Sequence, residues 1–215
     1  MVEIFNPKTA DSVGLTEFAP DSTAAGELIF FHASQGKPLA TPWQVALARS
    51  NLLKQLSLPE GYILDCACGS GIQLGAHMAL LQRPGIGVEL DQMRAQASAV
   101  NLQSIARYRN EMDTERMQKT RIIAGDGRDG ATVCAAMADH LKLEYFPNIA
   151  LLHLDPARPR NSRTHGLEEM APRLDEVFNG WAPYLTEGES GPALLLDLSP
   201  RLTHDQRLEV ETMVD

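Results

Sequence analysis

From Gly61 onward the chain alternates short apolar runs with longer stretches in which apolar residues recur three or four apart. The first pattern suits strands of a half-buried or fully buried sheet, and the second suits helices with one apolar face. Five strands are predicted: Tyr62 to Asp65, Gly85 to Glu89, Arg121 to Ala124, Asn148 to Asp155, and Pro192 to Leu198. Between them lie predicted helices over Ile72 to Gln82, Gln92 to Arg107, Asp129 to Leu143, and Leu167 to Tyr184. Strictly alternating strands and helices build βαβ units, so the expected architecture is a mostly parallel sheet with helices on both faces, a three-layer α/β/α fold.

Ahead of the first strand, Thr41-Pro42 reads as a helix start, with the Thr hydroxyl as cap and Pro at the first helical position. That helix is expected to run to Leu56. Residues 1–40 hold Pro7, Gly14, Pro20, Gly26, Gly36 and Pro38 without a clear period and read as an irregular cover or lid. The main domain is therefore placed at residues 41–215. After the fifth strand, Thr203 to Met213 predicts a last helix, and the chain stops at Asp215 without the strand pair that usually completes such a sheet. The expectation drawn is a piece of a longer protein rather than a shorter fold.

Composition narrows the class. With 215 residues, 44% of them hydrophobic, the chain can bury the core of one domain. No run approaches the roughly 18 to 20 apolar residues of a membrane span, and the N-terminus lacks the order of a secretory signal. Cys66, Cys68 and Cys134 are an odd set in a chain of ordinary size, so a reducing, cytoplasmic setting is expected. A net charge of -9 argues against a surface that grips nucleic acid throughout, so any RNA contact must be local. Positive charge gathers in two places: Arg107, Arg109, Arg116, Lys119 and Arg121, read as a solvated face, and Arg158, Arg160, Arg163 and Arg173.

The sharpest motif is Asp65-Cys66-Ala67-Cys68-Gly69-Ser70-Gly71, between a predicted strand and helix. Gly69 and Gly71 permit a tight turn and close approach of a ligand, while the helix N-terminus offers free N–H groups. Asp65 can accept a hydrogen bond from a cationic amino acid moiety or a bridging water. About 20 residues on, Glu89 ends the second strand at the spacing from which a carboxylate reaches ribose hydroxyls, with Asp91 read as a helix cap. Asp126, in Gly125-Asp126-Gly127, is a candidate for an adenine amino group, with an ordinary turn as its equal alternative. The fourth strand delivers Asp155-Pro156-Ala157-Arg158 to the carboxyl edge of the sheet, where ligands of open α/β sheets bind. There Asp155 can hold an exocyclic amine and relieve its developing positive charge, and Pro156 stiffens the backbone.

Together, Asp65 to Gly71, Glu89, Asp126 and Asp155 to Arg158 resemble the successive motifs of class I S-adenosylmethionine-dependent methyltransferases, over roughly Phe30 to Arg201. More narrowly, Phe30-Phe31, Ala40-Thr41-Pro42 and the Asp-Pro-Ala-Arg run resemble RNA methyltransferases of the THUMP-associated and cap-guanine-N2 kinds. The resemblance implies a Rossmann-like methyltransferase fold, S-adenosylmethionine as cofactor, and a guanine amino group of RNA, tRNA or rRNA, as acceptor. It implies that Asp65, Ala67, Gly69 and Gly71 hold the methionine part, Glu89 the ribose and Asp126 the adenine. Asp155 and Pro156 then match the amine-facing motif, with Arg158 and Arg160 meeting base or phosphate. Ala67 stands where the family turn has its first glycine. Arg158 stands where amine methyltransferases commonly carry an aromatic residue; its guanidinium can stack on a base or bind phosphate. Phe31 and Trp43 are alternative stackers, although packing is the ordinary role of such residues.

Other chemistries find less support. Cys66 and Cys68 have no second Cys or His pair at zinc-site spacing, so no metal is expected. His153 sits inside the apolar fourth strand and reads as a satisfied interior side chain rather than a base. Two rivals stand: a nicotinamide-dependent oxidoreductase, with Gly69, Gly71, Gly75 and Glu89 read as a dinucleotide fingerprint, and a non-catalytic module that binds cofactor or RNA for a partner.

Overall fold

The computed structural model describes residues 2–18, 28–33, 40–108, 114–144, 146, 148–157, 166–188 and 191–214. In chain order its elements are β1 (Glu3–Phe5), β2 (Thr16–Phe18), β3 (Phe30–His32), α1 (Trp43–Leu53), β4 (Tyr62–Asp65), α2 (Ile72–Leu81) and β5 (Gly85–Glu89). There follow α3 (Gln92–Tyr108), α4 (Thr114–Lys119), β6 (Arg121–Ala124), α5 (Gly130–Leu141), β7 (Ile149–Leu154) and α6 (Leu174–Trp181). Last come β8 (Glu187–Gly188), β9 (Gly191–Pro192), β10 (Leu194–Leu196) and α7 (His204–Val214).

Six strands form the central sheet in the order β1-β6-β5-β4-β7-β10. The five from β4 to β10 run parallel, and β1 closes one edge antiparallel to β6. The parallel strands are the five predicted from the apolar runs. Strand β4 is buried at every position because helices cover both of its faces. On one face Ile63, Leu151 and Ile122 pack beneath Trp43, Ala46, Leu74 and Leu102 of α1, α2 and α3. On the other, Leu64, Val88, Ile123 and Leu152 pack against Val133, Val177, Trp181 and Val210 of α5, α6 and α7. Among the described residues, β10 is the far edge strand and no strand follows it in sequence.

Several expectations need correction. The segment read as irregular contributes β1 to the central sheet, with Glu3 opposite Ala124, and forms a hairpin in which Phe18 faces Phe30. Strands of three residues are too short to show a period. Thr41 does not cap α1: the residue before the helix is Pro42, in an extended conformation, and no side chain caps it. Burial of Trp43 and Ala46 anchors that end instead. The predicted helix over Leu167 to Tyr184 is broken into a 3-10 turn at Leu167–Glu169, α6, and a 3-10 turn at Ala182–Tyr184. Pro172 and Pro183 lie within the predicted span, where proline removes the N–H a helix interior needs.

Candidate active site

The parallel strands point their carboxyl ends at one cleft. After β4, the amide of Gly71 donates to the carbonyl of Cys68 at 2.7 Å, closing the turn that starts α2. Gly69 and Gly71 sit at φ 52 and 71, in the left-handed region, which costs other L-residues roughly 1–2 kcal/mol. Glu89, at the end of β5, accepts from the Gly69 amide through Oε2 and from the Asp91 amide through Oε1, each at 3.1 Å. The second strand end is thereby stitched to the glycine turn. Asp91 caps α3 as the sequence suggested, accepting from the Arg94 amide at 2.9 Å.

Beyond β6, Asp126 is held by the fork of Arg128, with Nε 2.9 Å from Oδ1 and Nη2 2.6 Å from Oδ2. That hydrogen bonding holds the Asp126 carboxyl below its ordinary range. Arg128 also reaches Glu176 of α6 at 2.8 Å. The next residue must be glycine for space: a Cβ on Gly127 would lie 1.9 Å from the Cys66 carbonyl oxygen. So the loop after β6 lies directly on the backbone of the glycine turn.

After β7 come Asp155, Pro156 and Ala157, and the Ala157 amide donates to the Ala171 carbonyl at 2.9 Å. Asp155 is exposed in the cleft. The cleft walls nevertheless partly desolvate the carboxyl and Asp197 adds negative charge, so its pKa is raised above the ordinary value. Arg158, Arg160 and Arg163 lie outside the described residues.

A cavity of about 1130 Å³ opens here, lined by Asp65, Ala67, Gly69, Glu89, Asp126, Asp155 and Pro156. Of the described residues that the resemblance assigns to cofactor or amine, Gly71 alone is off its wall. Phe31 also lines it, whereas Trp43 is buried and tilted against Phe30 at 6.4 Å, in the core and not at the cleft. Sequence reasoning missed Glu168 and Glu176 on the opposite rim, where Arg173 of the second basic cluster also lies. It also missed how the N-terminal segment is fastened. Buried Asn101 of α3 accepts from the Phe31 amide at 2.7 Å and donates to the carbonyls of Phe31 at 3.0 Å and Ser70 at 2.8 Å.

At the floor of the cleft, Asp65 and His153, which both line it, are register partners on neighbouring strands. The Nδ1 of His153 lies 2.9 Å from Asp65 Oδ2, and its Nε2 lies 3.0 Å from Asp197 Oδ2. Arg49 of α1 reaches the same Asp197 oxygen at 2.7 Å. Burial alone would lower the imidazole pKa, but the two carboxylates outweigh it and push His153 up to about 10. The free thiols of Cys66 and Cys68 are fully buried, and burial raises both well above their ordinary pKa. No group of three His, Cys, Asp or Glu side chains fit to hold a metal occurs among the described residues. None of the described helices is long and apolar enough to cross a membrane. In the first basic cluster, Lys119 pairs with Glu115, and Arg121 is buried and donates to the carbonyls of Gln118 and Thr120.

A mostly parallel sheet between two helical layers, with a cleft at the carboxyl ends of its strands, defines a Rossmann-like three-layer α/β/α protein. No protein-family model matches the chain, and no curated protein matches it in sequence. Solved structures with which it aligns include a Porphyromonas gingivalis W83 protein described as a methyltransferase, at 17% identity and TM-score 0.39, over 68% of this chain and 30% of that one. A Listeria monocytogenes protein described as a class I S-adenosylmethionine-dependent methyltransferase aligns at 15% identity and TM-score 0.45, over 75% and 48%. The rRNA methyltransferase AviRa of Streptomyces viridochromogenes aligns at 16% identity and TM-score 0.49, over 80% and 79%. The chain thus spans less than half the length of the first two.

Proposed function

We propose that this chain binds S-adenosylmethionine in the cleft and transfers its methyl group to an exocyclic amine, with guanine N2 of RNA as the acceptor its motifs resemble. The observation that carries this reading is the convergence on one cavity of the glycine turn, Glu89, Asp126 and Asp155, from the carboxyl ends of four adjacent parallel strands.

The residues fit such a ligand. A cavity of about 1130 Å³ accommodates a nucleoside with an amino acid tail and leaves room for an acceptor. The bare glycine turn lets the main chain approach the tail. Each carboxylate has roughly four acceptor sites, so Glu89 keeps lone pairs for ribose hydroxyls, whereas Asp126, with four contacts from Arg128, takes up an amino group only as the guanidinium gives way.

When bound, S-adenosylmethionine supplies an electrophilic methyl group on a sulfonium, so alignment and exclusion of water contribute most of the rate. Asp155 accepts a hydrogen bond from the acceptor amine and orients its lone pair. Its raised pKa makes it a better proton acceptor once the amine turns cationic. Pro156 fixes the backbone that carries it. Arg173 at the rim is already paired with Asp175 at 3.0 Å, so the local positive charge that RNA needs on an acidic protein is expected from Arg158, Arg160 and Arg163.

The test is transfer of labelled methyl from S-adenosylmethionine to total cellular RNA, with Asp155→Ala alongside. Label in RNA that disappears with the variant supports the reading. Label only in protein or small amines moves the acceptor elsewhere, and cofactor binding without any transfer favours a non-catalytic module.

A further inference from the structure

The alternation that packs buried Ile63 and Leu151 and half-buried Leu195 on the α1–α2 face of the sheet places the next residues of that face, Asp65, His153 and Asp197, side by side at the strand ends. Their side chains grade from core to edge, 3% exposed for Asp65, 2% for His153 and 18% for Asp197, with Arg49 at 32%. Charges alternate along this line: carboxylate, imidazole, carboxylate, guanidinium.

The hydrogen bonds determine the protons. Each His153 nitrogen faces a carboxylate oxygen, which accepts but does not donate when ionised, so both nitrogens carry hydrogen and the ring is an imidazolium. The neighbouring His77, edge-on to His153 at 5.2 Å, resolves oppositely. Ser50 donates its hydroxyl hydrogen to the Ala46 carbonyl at 2.8 Å, so His77 donates from Nδ1 to Ser50 Oγ at 2.8 Å. Its bare Nε2 then accepts from Gln73 Nε2 at 3.2 Å, and Gln73 Oε1 accepts from Arg49 at 3.2 Å. His77 is therefore a neutral wall, its pKa brought down to about 3 by burial and by the adjacent His153 charge.

We propose that His153 is a positioning residue, a buried imidazolium that locks the Asp65 carboxylate under the glycine turn to Asp197 and, through it, to Arg49 of α1. This inference rests on the reading of the cleft as a nucleoside-cofactor site. Asp65 holds the turn from within, accepting the Ala67 amide at 3.2 Å, so its orientation sets the backbone over which the ligand's amino acid end would lie. The fourth-strand histidine thus ties the cofactor turn to the fifth strand and to the first helix. The charged groups around His153 are Asp65 on β4, Asp155 just after its own strand, Asp197 after β10 and Arg49 on α1, with neutral His77 on α2.

The test combines two measurements on the whole chain. First, nitrogen NMR of the unliganded wild type is expected to show both His153 nitrogens protonated at about pH 8.5, two units above an ordinary histidine; a deprotonated nitrogen there overturns the proposal without any variant. Second, S-adenosylhomocysteine is titrated calorimetrically into wild type and Asp197→Asn, a change off the cavity wall. Wild-type affinity is expected to be level between about pH 6.5 and about pH 8.5, while the variant, its imidazolium held by Asp65 alone, weakens about tenfold more at the higher pH, the scale of one pKa unit. Equal loss at both pH values means a merely structural role and overturns the positioning claim, as does no loss at all. Failure of wild type to bind at either pH overturns the reading of the cleft instead, and the NMR result then judges the imidazolium by itself.

Discussion

The indole Nε1 of Trp181 donates a 2.7 Å hydrogen bond to the carbonyl of Gly127. Trp181 is fully buried, so α6 fixes from below the loop that carries Asp126. Trp181→Phe keeps a ring but leaves that carbonyl unpaired and is expected to cost about 1–3 kcal/mol. Urea unfolding measures it, and a loss under about 0.5 kcal/mol, the ordinary range of a neutral surface change, contradicts the packing described.

Asn101 is the fastening of the N-terminal hairpin. Asn101→Leu removes the bonds to Phe31 and Ser70, each worth about 1 kcal/mol net. Amide exchange at Phe31 is expected to accelerate by at least about tenfold, the equivalent of ~1.4 kcal/mol, while exchange in β4 and β7 stays slow. Unchanged protection at Phe31 shows that the hairpin is held by its apolar contacts alone.

The raised pKa of Asp155 ties its proposed role to stability. Because its pKa is raised in the folded protein, the folded state holds that proton more tightly than the unfolded chain. The resulting stability is present below the ordinary value of 3.8 and lost as pH rises through the folded value. Asp155→Asn is therefore expected to melt at or above the wild-type temperature at neutral pH, with the difference closing in acid, as thermal scans across pH would show. Asp155→Ala should abolish turnover and change cofactor affinity by less than about tenfold, a ~1.4 kcal/mol contact.

His153 has the same sign in a higher pH window. Raised from 6.5 to about 10, it contributes stability that is complete below 6.5 and lost as pH climbs to about 10. Asp197, whose pKa falls because His153 and Arg49 outweigh its partial burial, contributes stability that is present above 3.8 and lost in acid. His153→Gln is expected to be less stable than wild type at neutral pH and to lose much less on going to pH 10. Guanidinium unfolding at both pH values compares the slopes; parallel loss in the two proteins contradicts an imidazolium.

Much of this was legible in the sequence. The parallel strands, the turn from Asp65 to Gly71, the Asp91 cap and the placing of Glu89, Asp126 and Asp155 at one sheet edge follow from apolar runs ended by acids. Asp197 obeys the same rule, closing Leu194-Leu195-Leu196, and could have been read by it. What escaped depends on pairing across the sheet. That His153 lies opposite Asp65 is a matter of register between strands 88 residues apart, and a lone histidine in an apolar run carries no sign of it. Arg49, Gln73 and Asn101 sit on helix faces whose direction is set only when the helices dock. The short N-terminal strands show no period, and their pairing partners lie far along the chain.

The measurement closest to the central claim is calorimetric titration of the purified chain with S-adenosylhomocysteine, NAD and NADP in parallel. Selective binding of S-adenosylhomocysteine, with a dissociation constant in the micromolar range, about −8 kcal/mol, is the expected result. Preference for either dinucleotide would contradict the account and turn the cleft into that of an oxidoreductase.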